Sequence, residues 1–370
     1  MTEGTDAWTH FNPVRVVAGR GAIERLPQLV ADGRVVLLVT TEGFTRRGVT
    51  SHVRALFARA QPVIVHDRVT PNPDLDDLEE ATSALRGRGI DCVIAIGGGS
   101  VIDTAKALAL SLASDSDRPL ESVVRGGAPQ DWRASLKLIA APSTAGTGSE
   151  VTPFATVWDG AGHRKHSLSG ERLYPHTAVL DPDLTVTLPP DETLHTALDS
   201  LSHALESLWN KHRTSLSELH AFRALELAAA ALPRVLRQPD DIKARAQMQQ
   251  VSLLAGLAIS QTRTALAHSV SYPLTSRYNV PHGLACSFTL PAILRANIDS
   301  LAADGRGATT LRAVLELLEG FQLGARIRRY LGPADALALQ GEMAAKGRIE
   351  NFSGRMPGEL ADLLQESISA

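Results

Sequence analysis

Two cysteines in 370 residues exclude the disulfide framework on which small secreted domains depend. Cys92 and Cys286 stand far apart in apolar surroundings, as reduced, packed thiols do. No apolar run approaches the roughly 20 residues needed to cross a bilayer. The opening "MTEGTDAWTH" has neither the basic start nor the apolar centre of a secretory signal. Basic excess is also lacking: the formal charge is −3, which gives no general attraction to nucleic acid or to an anionic membrane. What remains is a soluble, cytoplasmic globular protein. With 44% hydrophobic residues it can bury a substantial core, and its length favours two domains or one large one.

The chain changes rhythm near residue 188. Before that point, short apolar runs alternate with helical patterns. "VRVVAG" (14–19), "VVLLVT" (35–40), "PVIVHD" (62–67), "DCVIAIGGG" (91–99) and "LKLIAAPST" (136–144) read as buried strands. Between two of them, Leu75, Leu78 and Leu85 share one helical face in a segment that ends in glycine. Strand, helix, strand in this order implies a mostly parallel sheet, with ligands beyond the carboxyl ends of its strands. After Pro189-Pro190-Asp191, a stop followed by a helix start, the signals are helical: 191–211, 215–237, 240–261 and 281–297. The expected organisation is an α/β domain over 1–188 and an all-helical domain over 189–370, with substrate in the cleft between them.

Two glycine-rich loops leave strands of the first half. In "IGGGSVIDTAK" (96–106), Gly97, Gly98 and Gly99 let the backbone approach a phosphate, and Ser100 can cap the helix that follows. Alone this is a common glycine turn, and it is not GxGxxG. The second loop, "PSTAGTGSEVTPFATV" (142–157), offers the hydroxyls of Ser143, Thr144 and Thr147. A polar turn is its plain reading. Two such loops at one sheet edge favour a pyrophosphate cradle.

The second half carries a different chemistry. In "DSLSHALE" (199–206), Asp199 and His203 are four apart, so on a helix both point to one side. An ion pair or a held structural histidine is the commoner meaning of such a pair. His195 lies one turn earlier in the same row. Farther on, "ALAHSVSYPLTSRYNVPHGLACSF" (265–288) brings His268 and His282. One carboxylate and three imidazoles suit a divalent cation such as Fe²⁺ or Zn²⁺ and can leave a position open for a substrate oxygen. Spacing alone leaves open whether the four converge.

"GGGSVIDTAK", "PSTAGTGSEVTPFATV", "HTAVLDPDLT", "DSLSHALES" and "PHGLACSFTLP" occur in the order found in the iron-containing (group III) alcohol dehydrogenases. The chain resembles that family through nearly all of residues 12–297. The resemblance implies the dehydroquinate synthase-like fold: an α/β dinucleotide-binding domain with a mostly parallel sheet, an all-α metal-binding domain, and commonly a homodimer. It puts the metal ligands on Asp199, His203, His268 and His282; His195 matches no ligand. It puts cofactor binding on Thr41, Asn72, Gly98, Gly99, Ser100, Asp103, Ser143, Thr144, Thr147 and Lys165, with Lys165 also near the reacting centre. The implied chemistry is hydride transfer from NADH or NADPH to an aldehyde whose oxygen a metal polarises.

Two departures from the family pattern bear on this expectation. Many members have a second histidine four residues after the third ligand, assigned to proton transfer, where this chain has Tyr272. Proton delivery by Tyr272, by a cofactor ribose hydroxyl or by water all stay open, as does a Tyr272 that only shapes the pocket. NAD-selective relatives often carry an aspartate after the second strand, where a carboxylate bonds the ribose 2′-hydroxyl. "LLVTTEG" has Thr41 there, and Arg46 and Arg47 follow. These lean to NADPH; Glu42 argues for NADH.

Arg164, Lys165, Arg263 and Arg277 lie within or beside the motifs. Solvated surface charge is the default for each. Arg263, five before His268, and Arg277, five before His282, suggest an anionic aldehyde, because guanidinium forks carboxylate or phosphonate oxygens. "NPVRVVAGRGAIERL" with "AHSVSYPLTSRYNVPHG" looks most like the family branch that reduces phosphonoacetaldehyde to 2-hydroxyethylphosphonate. The rivals are a maleylacetate reductase, a general short-chain alcohol or 1,2-diol dehydrogenase, a dehydroquinate synthase-like lyase, and a noncatalytic metal- or nucleotide-binding subunit.

Overall fold

The apolar runs of the first half lie side by side in one sheet. In the computed structural model, which describes all residues except 1–6, 31–33, 58–60, 163, 303–306 and 345–346, six strands form it: β1 (Arg15–Ala18), β2 (Val35–Val39), β3 (Val63–His66), β4 (Ile90–Gly97), β5 (Lys137–Pro142) and β8 (Thr177–Leu180). Their order is β1-β8-β5-β4-β2-β3, and every neighbouring pair is parallel. The first six residues of the stretch read for a secretory signal lie outside the described residues.

Period-two alternation sends side chains to both faces. Leu37, Val39, Val93 and Ala95 join one core with Leu75, Leu78 and Leu85 of the helix Leu75–Leu85. Val36, Leu38, Ile94 and Ile96 join a second core on the other face with Phe44 and Val53. Asp74 starts the Leu75–Leu85 helix, its carboxylate accepting from the N–H of Asp76 at 2.9 Å. The helix Gly99–Leu112 is buried without interruption from Thr104 to Ser111.

Two features of this unit escape the pattern reading. Residues within and after the second glycine-rich loop form a separate antiparallel hairpin, β6 (Phe154–Asp159) with β7 (Arg164–Ser169). In β7 only Leu168 is buried, so the strand carries no apolar alternation. The short β8, "TAVL", is buried throughout and closes the sheet between β1 and β5.

The chain divides into two compact units, Pro13–Leu188 and a helical one running from Pro189 to Ala370. The described residues up to Asn12 belong with the helical unit, where the Gln261 side chain bonds the backbone of Phe11. Helices Pro190–Leu208, Ser215–Arg237 and Ile242–Thr262 build its centre. Leu266–Tyr278 is also helical, with Pro273 inside it. The expected helix over 281–297 is two pieces, His282–Ala285 and Leu290–Leu301. Pro291 has no N–H to continue the first, and sits in the opening turn of the second. No described helix is long and apolar enough to cross a membrane.

Candidate metal centre and nucleotide cradle

Asp199 and His203 lie one turn apart on the Pro190–Leu208 helix, His268 on Leu266–Tyr278, and His282 at the start of His282–Ala285. Their side chains converge on a single oxygen. Asp199 Oδ1 is 3.5 Å from His203 Nε2, 3.5 Å from His268 Nε2 and 3.7 Å from His282 Nε2. Asp199, His203 and His268 are buried.

Local packing explains the convergence. Gly283, next to His282, lies against the His195 carbonyl so closely that a Cβ there would stand 1.7 Å from the oxygen. Only glycine lets this turn settle on the ligand helix. Ser202 Oγ donates to the Cys286 carbonyl at 2.9 Å and secures its other end. His195 thus contributes its backbone to the site; its buried Nδ1 finds no hydrogen-bond partner.

Glu206 completes the arrangement. It lies two turns after Asp199 on the same helix and is fully buried. Glu206 Oε2 is 2.6 Å from His268 Nδ1, while Oε1 accepts from the backbone N–H of Ala267 at 2.6 Å and of His268 at 3.2 Å. With Nδ1–H directed at Glu206, the His268 Nε2 lone pair faces Asp199, as in metal sites whose histidines are oriented by a carboxylate. That buried Nε2 has no hydrogen-bond partner. Burial opposes ionisation of Asp199, but attraction to His203, His268 and His282 outweighs it and holds the carboxyl well below its usual range. Burial likewise opposes ionisation of Glu206, and His268 outweighs it. One buried carboxylate among imidazoles, with the partnerless Nε2 of His268 turned toward it and Glu206 standing behind that ring, is a donor set that fits a divalent cation.

Cys286, read from sequence only as a packed thiol, belongs to the cluster. Its Sγ is 3.4 Å from Asp199 Oδ1, and donor atoms of Asp199, His268, His282 and Cys286 all lie within 4.8 Å of one another. Tyr272 lies parallel to His282 with ring centroids 6.4 Å apart. Burial pushes its phenol up to about 12, against the opposing pull of Arg348. Arg277 is exposed and paired with Glu342 at 2.7 Å. Arg263 is also exposed; it ends the Ile242–Thr262 helix at φ 64°, and its carbonyl accepts from Asn210.

In the α/β unit the strand order reverses between β2 and β4, the place where such sheets open a crevice for ligands. The first glycine-rich loop leaves β4 at this point, and the second, leaving the adjacent β5, packs against it. Ser143 N–H donates to the Gly97 carbonyl at 2.9 Å. A Cβ on Gly99 would stand 2.6 Å from Thr147 Cγ2, and one on Gly98 would stand 3.2 Å from Thr144 Cγ2. Asn72, at φ 59°, directs its N–H toward Ser100 Oγ at 3.4 Å. The helix N-terminus at Gly99, with Ser100, Thr144 and Thr147 around it, is a candidate anion site.

Asp103 faces inward. Its oxygens accept from Ser149 Oγ at 2.7 Å and from the Thr156 N–H at 2.9 Å, joining the glycine-loop helix to β6. Beside it, buried Lys106 donates to the carbonyls of Thr152 and Phe154. Lys165, on β7, stands 5.7 Å from the Trp158 ring. Thr41 occupies the N-cap position of the short helix Glu42–Arg46, and the Arg47 guanidinium lies 4.5 Å from the Phe44 ring centroid.

Sequence reasoning missed Glu206, Cys286 and Arg348. Glu206 was visible in principle, since 199, 203 and 206 fall on one helical face. Cys286 follows His282 by one turn. Arg348 had no local signal.

Comparison with known proteins agrees with this layout. A sequence profile of the iron-containing alcohol dehydrogenases matches residues 13–182, and one for the C-terminal part of the Fe-containing alcohol dehydrogenase family matches 193–322. The phosphonoacetaldehyde reductase of Streptomyces viridochromogenes is 39% identical over 263 residues, 69% of this chain and 66% of that protein. The NAD-dependent methanol dehydrogenase of Bacillus methanolicus is 30% identical over 333 residues, covering 87% of this chain and 84% of the relative. Among solved structures, the sulfoacetaldehyde reductase of Bifidobacterium kashiwanohense in complex with NAD+ superposes with a TM-score of 0.84 at 28% identity, covering 98% of each chain.

Proposed function

Since this chain belongs to the iron-containing alcohol dehydrogenase family of nicotinamide-dependent oxidoreductases, we propose that it reduces a small anionic aldehyde, with phosphonoacetaldehyde the leading candidate. The net reaction is aldehyde plus NAD(P)H plus a proton to alcohol plus NAD(P)+. In this reading Asp199, His203, His268 and His282 hold Fe²⁺ or Zn²⁺. Gly98, Gly99, Ser100, Ser143, Thr144 and Thr147 cradle the dinucleotide phosphates, with Thr41, Asn72 and Lys165 along the rest of the cofactor. When bound, the ion supplies Lewis acidity toward the carbonyl oxygen and the nicotinamide supplies the hydride.

The chain's own side chains perform the orienting work. Glu206 fixes the His268 tautomer, Gly283 permits the turn that presents His282, and Asp103 keeps the glycine-loop helix against β6. In this reading Tyr272, whose ring lies parallel to that of His282, delivers the proton; a ribose hydroxyl or water, with Tyr272 only shaping the pocket, are the alternatives. Thr41 in place of a carboxylate, with Arg46 and Arg47 after it, favours NADPH over NADH. A cytoplasmic homodimer belongs to the same reading, and light scattering and cell fractionation check it.

The single observation behind the assignment is Asp199 Oδ1 with three imidazole nitrogens at 3.5, 3.5 and 3.7 Å. His268→Ala should lose both bound metal and turnover. Full activity in that variant without bound metal would refute the ligand set. Faster reduction of butanal or lactaldehyde than of phosphonoacetaldehyde would reject the substrate. Similarity to a methanol dehydrogenase supports a second reading, a short-chain alcohol dehydrogenase, which the same assay identifies. Net consumption of NAD(P)H separates either from a lyase that regenerates its cofactor within each cycle.

A further inference from the structure

The geometry points to Arg348 as the residue that recognises the anionic end of the substrate. This deepens the proposed function and rests on it. The Arg348 guanidinium carbon lies 4.4 Å from the centroid of the Tyr272 ring, and that ring lies parallel to the imidazole of His282. The Tyr272 ring thus neighbours both this cation and a candidate metal ligand. Arg348 is half-buried and takes part in no ion pair among the described residues. Arg277, by contrast, is exposed and already committed to Glu342.

A guanidinium lying over an aromatic ring can keep N–H donors for other partners. Those donors form a planar fork that matches a phosphonate, sulfonate or carboxylate. Stacking also strips water from one face, so an anion meets a partly desolvated cation.

The segment carrying Arg348 is fastened on both sides to the metal-centre scaffold. Before it, Ser269 Oγ, next to His268, donates to the Met343 carbonyl at 2.6 Å. After it, Asn351 Nδ2 donates to the Thr264 carbonyl at 2.9 Å, and Ser353 N–H donates to the Trp209 carbonyl at 2.9 Å. Trp209 directly follows the helix of Asp199 and His203. The cation is thus indexed to the ligand helices, as a residue measuring the length of a short substrate must be.

The test compares wild type, Arg348→Gln and Arg348→Lys on phosphonoacetaldehyde and on neutral butanal, with metal content measured in each. Calorimetric titration with 2-hydroxyethylphosphonate gives binding without turnover. In Arg348→Gln, kcat/KM for phosphonoacetaldehyde should fall about 10- to 100-fold, chiefly through KM, the loss typical of removing one partner of a charged hydrogen bond. Affinity for 2-hydroxyethylphosphonate should fall in parallel with metal content intact, and the preference for phosphonoacetaldehyde over butanal, read as the ratio of their kcat/KM values, should fall about 10-fold or more. Arg348→Lys, keeping the charge without the fork, should retain more than Arg348→Gln. An equal fall for butanal, or an undiminished preference for phosphonoacetaldehyde in Arg348→Gln, overturns the assignment. If wild type itself shows no preference for phosphonoacetaldehyde over butanal, the substrate reading fails first and this assignment falls with it.

Discussion

Glu206 and His268 meet at 2.6 Å inside the helical unit, with Glu206 fully buried, and this contact sets which imidazole nitrogen faces Asp199. Glu206→Gln keeps the shape but can no longer attract His268 as an anion. Metal affinity should fall about 10- to 100-fold, read by competition with a chelator, and excess metal should restore turnover. Unchanged affinity would reduce Glu206 to a packing residue.

Thr41 controls the preference between cofactors in this reading. Thr41→Asp places a carboxylate after β2, where it repels a 2′-phosphate and can bond a 2′-hydroxyl. The ratio of kcat/KM for NADPH to that for NADH should drop about 10-fold or more. A ratio that does not move would put the 2′-position elsewhere.

Removing the Tyr272 hydroxyl isolates proton delivery. Tyr272→Phe retains the ring beside His282 and the Arg348 stack. A turnover number lower by about 100-fold, with metal content intact, is expected of a lost proton donor. A variant at full rate would leave the task to ribose or water.

Glu150 makes the α/β unit sensitive to pH. It is buried, its Oε1 has no hydrogen-bond partner, and burial pushes its carboxyl up to about 7 despite nearby Lys106. The unfolded chain releases this proton near the ordinary value of 4.5, whereas the folded chain keeps it until about 7. The contribution to stability is therefore complete below 4.5 and lost as pH rises through 7. Glu150→Gln should flatten that slope, gaining roughly 1–3 kcal/mol on wild type between pH 5 and 7.5. Urea unfolding at the two pH values decides; parallel losses in both proteins would show that Glu150 is not the source.

The parts of the molecule legible in sequence were those with a strong local period. β2 and β4 declare themselves because both faces of each are covered, so nearly every residue is apolar. Asp199 and His203 share a helical face by simple spacing. β7 was illegible because its partner is a neighbouring strand and only Leu168 enters the core. The break between His282–Ala285 and Leu290–Leu301 was written in Pro291, yet the apolar pattern runs across it. Arg348 shows the limit. Its place beside Tyr272 depends on Ser269, Thr264 and Trp209, and no spacing within residues 343–353 reveals those contacts.

The pairing of Arg15 with Thr177 has a bearing on synthesis. β1 leaves the ribosome before β8, yet among the described residues β8 is its sheet neighbour, and β8 must also dock on β5. Until residue 180 has left the exit tunnel, β1 has no ladder to join. Such long-range pairing folds slowly and leaves a strand edge exposed to misassociation. A nascent chain paused before β8 should therefore rely on chaperones more heavily than one released just beyond it.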